Sequence, residues 1–113
     1  MLVIYHNPRC KKSCEGLKYL QDNGVQHTIV KYLETGLTKE ILKELAIKTS
    51  KKPQELLRTQ EEYFKKELKG KKFTDDEWVK IIIENPKLLQ RPIIVGKYKA
   101  VIAQPANLID GIK

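Results

Sequence analysis

Only two cysteines, Cys10 and Cys14, occur in 113 residues, which is too few for a disulfide scaffold or a four-thiolate zinc site. Both histidines, His6 and His27, fall outside any common zinc spacing with that pair, so no metal site is expected. Neither of the glycine-rich phosphate-binding motifs is present. No apolar run approaches the ~18 residues that a membrane-spanning helix needs. Met1-Leu2-Val3-Ile4 is too short for a signal-peptide core and is followed at once by polar His6, Asn7 and Arg9, so a cytoplasmic location is expected.

Apolar residues make up 41% and charged residues 32%, the composition of a folded chain rather than a disordered one. The length fits a single domain, residues 1–113, with one hydrophobic core. A formal net charge of +8 favours small anions, glutathione, acidic proteins or nucleic acid as partners. The lysine cluster at Lys65, Lys66, Lys69, Lys71 and Lys72 lacks interleaved aromatics and any nucleic-acid motif. Such a run reads as a solvated helix end, and nucleic-acid binding is not expected.

Leu2 to Tyr5 is an unbroken apolar run, the pattern of a buried strand. A turn at His6-Asn7-Pro8-Arg9 precedes a helix from about Lys11 to Asp22, with Cys14, Leu17, Tyr19 and Leu20 on its apolar face. His27 to Leu33 reads as a second strand, which completes a parallel βαβ unit.

The middle of the chain reads as helical. Thr38 is a candidate cap for a helix burying Ile41, Leu42 and Leu45, and Pro53 can open a short helix reaching Leu57. Thr59 with Glu62, and Thr74 with Glu77, both have capping-box spacing, and Phe73 can staple to Trp78. Further on, Ile93 to Ile102 predicts a hairpin with a two-residue Gly96-Lys97 turn, and Pro105 opens a last helix through Ile112. The expected order is therefore βαβ, a helical insertion of about 35–90, then ββα, an α/β arrangement on one mixed sheet.

Cys10 falls between the first strand and the first helix. A helix start offers unpaired N–H groups and about half a positive charge, which favour thiolate over thiol and also hold oxyanions. Arg9, Lys11, Lys12 and His6 stand close in sequence and can add charge or a hydrogen bond. Cys14, one turn further on, is either a resolving thiol or a buried structural cysteine. Regular helix spacing puts such Cβ atoms about 5–6 Å apart, whereas a disulfide wants about 3.8 Å. Closure therefore requires Cys10 to lie outside regular helix.

The run Tyr5-His6-Asn7-Pro8-Arg9-Cys10-Lys11-Lys12-Ser13 resembles the active-site segment of the glutaredoxin-linked arsenate reductase family, which includes the Spx-type regulators. Tyr32-Leu33-Glu34, Leu56-Leu57-Arg58, Phe73-Thr74-Asp75-Asp76, Asn85-Pro86 and Gln90-Arg91-Pro92-Ile93-Ile94-Val95 extend that resemblance, in order, over nearly the whole chain. It implies a thioredoxin-like fold with a helical insertion and a monomer that binds no cofactor. It also implies a thiol-dependent reductase in which Cys10 attacks an anionic substrate and glutathione with glutaredoxin acts as external reductant.

By the same resemblance Arg58 and Arg91 bind the anion, which suits guanidinium forks. Pro92 follows a cis bond, and His6 supports the thiolate. Ser13 either caps the helix or donates to the anion, capping being the simpler role. Two departures stand out. Gln104 occupies the place of a third arginine, at a cost of about 1–3 kcal/mol in anion binding. Cys14 stands where an arginine is usual. Both shift the expected substrate from arsenate toward a glutathione-type disulfide. Two alternatives remain: an Spx-like redox-sensing regulator that binds the RNA polymerase α subunit, and a fold member without turnover. The basic charge favours the regulator. Against it, Spx-type proteins carry CxxC, whereas three residues separate Cys10 from Cys14.

Overall fold

A computed structural model describes residues 1–112. The described residues divide into two compact units: residues 1–35 with 91–112, and residues 36–90.

The first unit is a four-stranded sheet with helices. β1 (Leu2–Tyr5), β2 (His27–Val30), β3 (Ile93–Val95) and β4 (Ala100–Ile102) lie in the order β2-β1-β3-β4. β1 pairs parallel to β2 and antiparallel to β3, and β3 pairs antiparallel to β4. This mixed sheet is the one the βαβ and ββα patterns imply. Because β1 has a neighbour on each side, its apolar run is buried as a central strand should be, with Ile4 fully enclosed. α1 (Lys11–Asp22) crosses from β1 to β2. Leu2, Ile4, Leu20, Ile94, Ala103 and Ile109 form the core, with Leu17, Tyr19 and Val25 packed on it.

Three boundaries in this unit differ from the sequence reading. β2 ends at Val30 rather than Leu33, and a single helical turn, α2 (Tyr32–Thr35), follows. The N–H groups of Glu34 and Thr35 both bond the Lys31 carbonyl, at 2.9 and 3.1 Å, so that carbonyl is satisfied locally instead of in a ladder. In the hairpin, Val95 pairs with Ala100, which leaves residues 96–99 as the loop instead of a two-residue turn. The Gly96 N–H bonds the Lys99 carbonyl at 2.8 Å and closes it. The last helix is a narrow 3-10 helix at Ala106–Gly111, and Tyr19 Oη, on α1, donates to Asp110 at 2.7 Å.

The second unit is helical. α3 (Lys39–Thr49) is capped by Thr38 Oγ1, which accepts the Ile41 N–H at 3.1 Å. Pro53–Leu56 forms a 3-10 turn, and α4 (Asp75–Glu84) carries both bonds of the Thr74–Glu77 capping box, at 2.9 and 3.2 Å. Phe73 meets Trp78 edge to face, with ring centroids 4.8 Å apart, as the staple requires. Leu42, Leu45, Leu56, Trp78, Ile82, Leu88 and Leu89 are its most enclosed side chains. The Thr59–Glu62 signature is not used as a capping box. A wide-turn helix at Phe64–Leu68 starts from Tyr63 without a side-chain cap, and just before it Arg58 engages Glu61 through both its carbonyl and its guanidinium.

Candidate functional site

Cys10 is the residue that begins α1 without belonging to it. Its backbone is extended (φ −100°, ψ 124°), and its carbonyl accepts the Cys14 N–H at 3.0 Å, the first bond of the helix. The loop leading to it is tied down from within. Asn7 accepts the Cys10 N–H on its carbonyl and the Arg9 N–H on Oδ1, both at 3.0 Å. This Asx-type turn is the local reason why Asn7-Pro8 turns the chain at the end of β1.

Ser13 anchors the same loop. Its hydroxyl oxygen accepts the Asn7 N–H at 2.9 Å and lies 2.7 Å from His6 Nδ1. The expected capping role for the Ser13 side chain is thereby corrected. The helix starts at Lys11, too late for Ser13 to cap it, and the fully buried hydroxyl is committed to the loop. His6 is buried as well, and its N–H continues the ladder to the Val30 carbonyl at 2.9 Å. Burial chiefly, and then the charge of Lys31, push its imidazole below the usual histidine pKa, against a bond to the Ser13 backbone that raises it. At neutral pH His6 therefore brings no positive charge to the sulfur. Its link to Cys10 runs through Ser13.

Cys10 itself is half-buried. Burial is the largest single influence on its thiol and pushes the pKa up. The backbone N–H of Ser13, the hydrogen bond and charge of the Arg91 guanidinium, and the N–H of Lys12 together outweigh it, so the net shift is downward. The sulfur thus faces two amides of a helix N-terminus and one guanidinium. A thiolate is favoured there, and the same donors suit a bound oxyanion.

Arg91 and Pro92 enter from the segment before β3. The Arg91–Pro92 bond is cis, as is Gln104–Pro105. Pro92 packs so closely on α1 that a Cβ built on Gly16 would lie 2.6 Å from its Cγ, which accounts for a glycine inside this helix. Gln104 does not aim its amide at a ligand. Its Nε2 donates to the Arg91 carbonyl at 2.5 Å, and its Oε1 accepts Lys12 Nζ at 3.4 Å. It braces the backbone of Arg91 and holds a lysine beside it. An open cleft of about 370 Å³ is lined by Lys12, Glu15, Ala103, Gln104, Pro105 and Ala106.

Cys14 is exposed, and its Sγ lies 3.3 Å from the Pro8 carbonyl as donor. The buried structural role is overturned. The inner face of α1 runs through Ser13, Gly16 and Leu20, so Cys14 falls one position outside the stripe. The first two of those carry little hydrophobic signal, and the apolar pattern alone set the phase of the helix wrongly.

Arg58 belongs to the helical unit, where its Nη1 lies 3.1 Å from Glu61 Oε1 and its N–H bonds the Leu88 carbonyl at 2.7 Å. A cavity of about 490 Å³ in that unit is lined by Glu61, Glu62, Tyr63, Glu84, Asn85, Pro86, Lys87 and Leu88, none of them a thiol. The structure brings together Cys10, Ser13, His6, Lys12, Arg91, Pro92 and Gln104, all in the sheet unit. Two of the residues that organise this group were not singled out by sequence reasoning: Asn7, noted only as a turn former, and Lys31. Asn before Pro was the available signal for the first, whereas Lys31 lies beside His6 only through the pairing of β2 with β1.

A cysteine at the start of the first helix, on a sheet of order β2-β1-β3-β4 with a proline-led strand beside it, defines a thioredoxin-like thiol oxidoreductase. Residues 5–112 match the ArsC family. The chain belongs to that family. It is 39% identical over 111 residues to the uncharacterized protein YfgD of Escherichia coli K12, covering 94% of this chain and 91% of that one. It is 33% identical over 109 residues to the arsenate reductase of the same organism, covering 96% and 77%. The solved arsenate reductase from Vibrio cholerae superposes with a TM-score of 0.93 at 35% identity, covering 99% of this chain and 97% of that one.

Proposed function

We propose that this protein is a thiol-dependent reductase that uses the Cys10 thiolate to attack arsenate or a glutathione-type disulfide, with glutathione and glutaredoxin as the external reductant. One observation carries the reading: Cys10, at the head of α1, faces two backbone amides and the Arg91 guanidinium, and its thiol is shifted toward the ionised form. The arsenate reductases among its relatives support the oxyanion as substrate.

On arsenate, Cys10 Sγ forms a sulfur–arsenic bond while one arsenate oxygen leaves as water. A glutathione thiolate then attacks the Cys10 sulfur. The sulfur–arsenic bond breaks, its electron pair stays with arsenic, and arsenite departs, leaving a Cys10–glutathione disulfide. Glutaredoxin exchanges that disulfide for a free thiol. On a disulfide substrate the first attack gives the same mixed disulfide directly. In both cases Arg91 and the amides of Lys12 and Ser13 hold the charge that moves onto and off the sulfur. Glutathione is anionic and the chain is basic, so encounter is favoured.

The test is arsenate-dependent oxidation of NADPH coupled through glutathione and glutaredoxin, run beside an assay that follows thiol release from a glutathionylated peptide. Wild type should turn over at least one substrate and Cys10→Ser neither. Equal rates in wild type and Cys10→Ser, or no turnover of either substrate by wild type, would overturn the proposal. The anion-binding role that the resemblance implies for Arg58 is read in the same assay, where Arg58→Ala should raise KM for arsenate more than it lowers kcat.

A further inference from the structure

We infer that Cys14 is a resolving thiol: once Cys10 carries a mixed disulfide with a small acidic thiol such as glutathione, Cys14 displaces that thiol and closes a Cys10–Cys14 disulfide within the chain. The inference rests on the reading of Cys10 as nucleophile and replaces the external thiol in the second step by one supplied by the protein.

Four features of the geometry carry it. Cys14 lies one turn beyond Cys10, and their backbones are joined by the bond from the Cys14 N–H to the Cys10 carbonyl at 3.0 Å. In a helix the Cα–Cβ bond tilts toward the N-terminus, so the Cys14 side chain leans toward the end where Cys10 sits. Its sulfur reaches back as far as the Pro8 carbonyl, 3.3 Å away. Cys14 is solvent-exposed and Cys10 half-exposed, so both sulfurs can be reached, and neither is held in the core.

The remaining gap is small. Regular helix spacing would leave the two Cβ atoms about 5–6 Å apart, against about 3.8 Å in a disulfide. Cys10 is the N-cap, with extended rather than helical φ and ψ, so its side chain is not held in the helical direction even though its carbonyl accepts the first bond of α1. That side chain can close the difference while α1 stays intact. The charges nearby suit an acidic disulfide as oxidant, since Arg9, Lys11 and Lys12 are all exposed around the pair.

The electrons balance without any further reagent. Cys10 thiolate attacks one sulfur of glutathione disulfide, forming the mixed disulfide and releasing one glutathione thiolate. Cys14 gives up its proton to solvent and attacks the Cys10 sulfur, and the second glutathione leaves as thiolate. The protein dithiol is oxidised by two electrons, and glutathione disulfide is reduced to two glutathiones.

The experiment exposes the reduced full chain to glutathione disulfide, quenches with acid and weighs the intact protein. Wild type should end lighter by two hydrogens with no glutathionyl group retained, while Cys14→Ser should accumulate one glutathionyl group on Cys10. A wild type that keeps the glutathionyl group as fully as Cys14→Ser would overturn the inference and leave Cys10 standing as nucleophile. No glutathionyl group on Cys14→Ser and two free thiols in wild type would overturn the inference together with the disulfide branch of the proposed function, while the arsenate branch stands or falls by its own assay. Because Cys14 is exposed, the serine variant should fold, which its thermal unfolding checks.

Discussion

The two units of this chain bury their polar groups in opposite ways. In the sheet unit three buried polar side chains, His6, Asn7 and Ser13, are neighbours in a network of bonds of 2.7–3.0 Å behind Cys10. In the helical unit the enclosed side chains are apolar, polar bonds sit at helix ends such as Thr38 and Thr74, and the one buried indole N–H, Trp78 Nε1, has no hydrogen-bond partner. Burying polar groups costs free energy unless each is bonded. Where a small domain concentrates that expense in one loop and satisfies it, the loop is being held in a specified geometry. Where it keeps polar groups at the rim, packing alone is being served.

The contrast is sharpest at the largest side chains. Trp78→Ala should cost about 3–5 kcal/mol of stability as a cavity-forming change. Under conditions where the variant is still folded, the iodoacetamide rate at Cys10 should stay at its wild-type value. Denaturant unfolding and alkylation kinetics check the two halves, and a slowed Cys10 would dissolve the distinction between the units.

Arg91→Ala reverses the pattern. It removes a charged hydrogen-bond donor worth about 1.5–3 kcal/mol, so thiolate-dependent turnover should fall roughly 10–100-fold. The titration midpoint of Cys10, followed by alkylation against pH, should move upward because the thiolate loses a stabilising cation. Unchanged pH dependence would mean that the amides alone ionise the sulfur.

Gly16→Ala probes the packing between those extremes. Forcing a methyl group against the rigid Pro92 ring should cost about 1–3 kcal/mol, set against a gain of about 1 kcal/mol in helix propensity. A net loss of stability together with slower Cys10 alkylation is expected, and a net gain would show that the proline ring yields.

The smallest effect belongs to His6. Its pKa is lowered in the folded chain, so the unfolded chain takes up a proton first as pH falls below about 6.5. Stability is therefore full above that pH and declines below it until the folded-state pKa is reached. His6→Asn should flatten this slope in urea unfolding measured between pH 7 and pH 5, and an undiminished slope would place its origin elsewhere.

Much of this arrangement was legible in the chain itself because it rests on local signals. The Thr38 cap, the Thr74–Glu77 box with its Phe73–Trp78 staple, the apolar run of β1 and the cysteine before a helix all involve neighbours in sequence. What stayed hidden depends on contacts between distant segments. Gln104 reads as a donor lacking charge until the sheet brings it to the Arg91 carbonyl, and Cys14 reads as core until the inner face of α1 is seen to pass through Ser13 and Gly16.

Lys12 and Gln104 touch across almost the whole length of the chain, and the sulfur takes its guanidinium from a residue in the last quarter. During synthesis Cys10 leaves the ribosome long before Arg91 and Gln104 exist. A nascent chain therefore lacks the guanidinium that helps to lower the Cys10 pKa, and the thiol stays closer to its ordinary protonated form until the last quarter of the chain has folded against it.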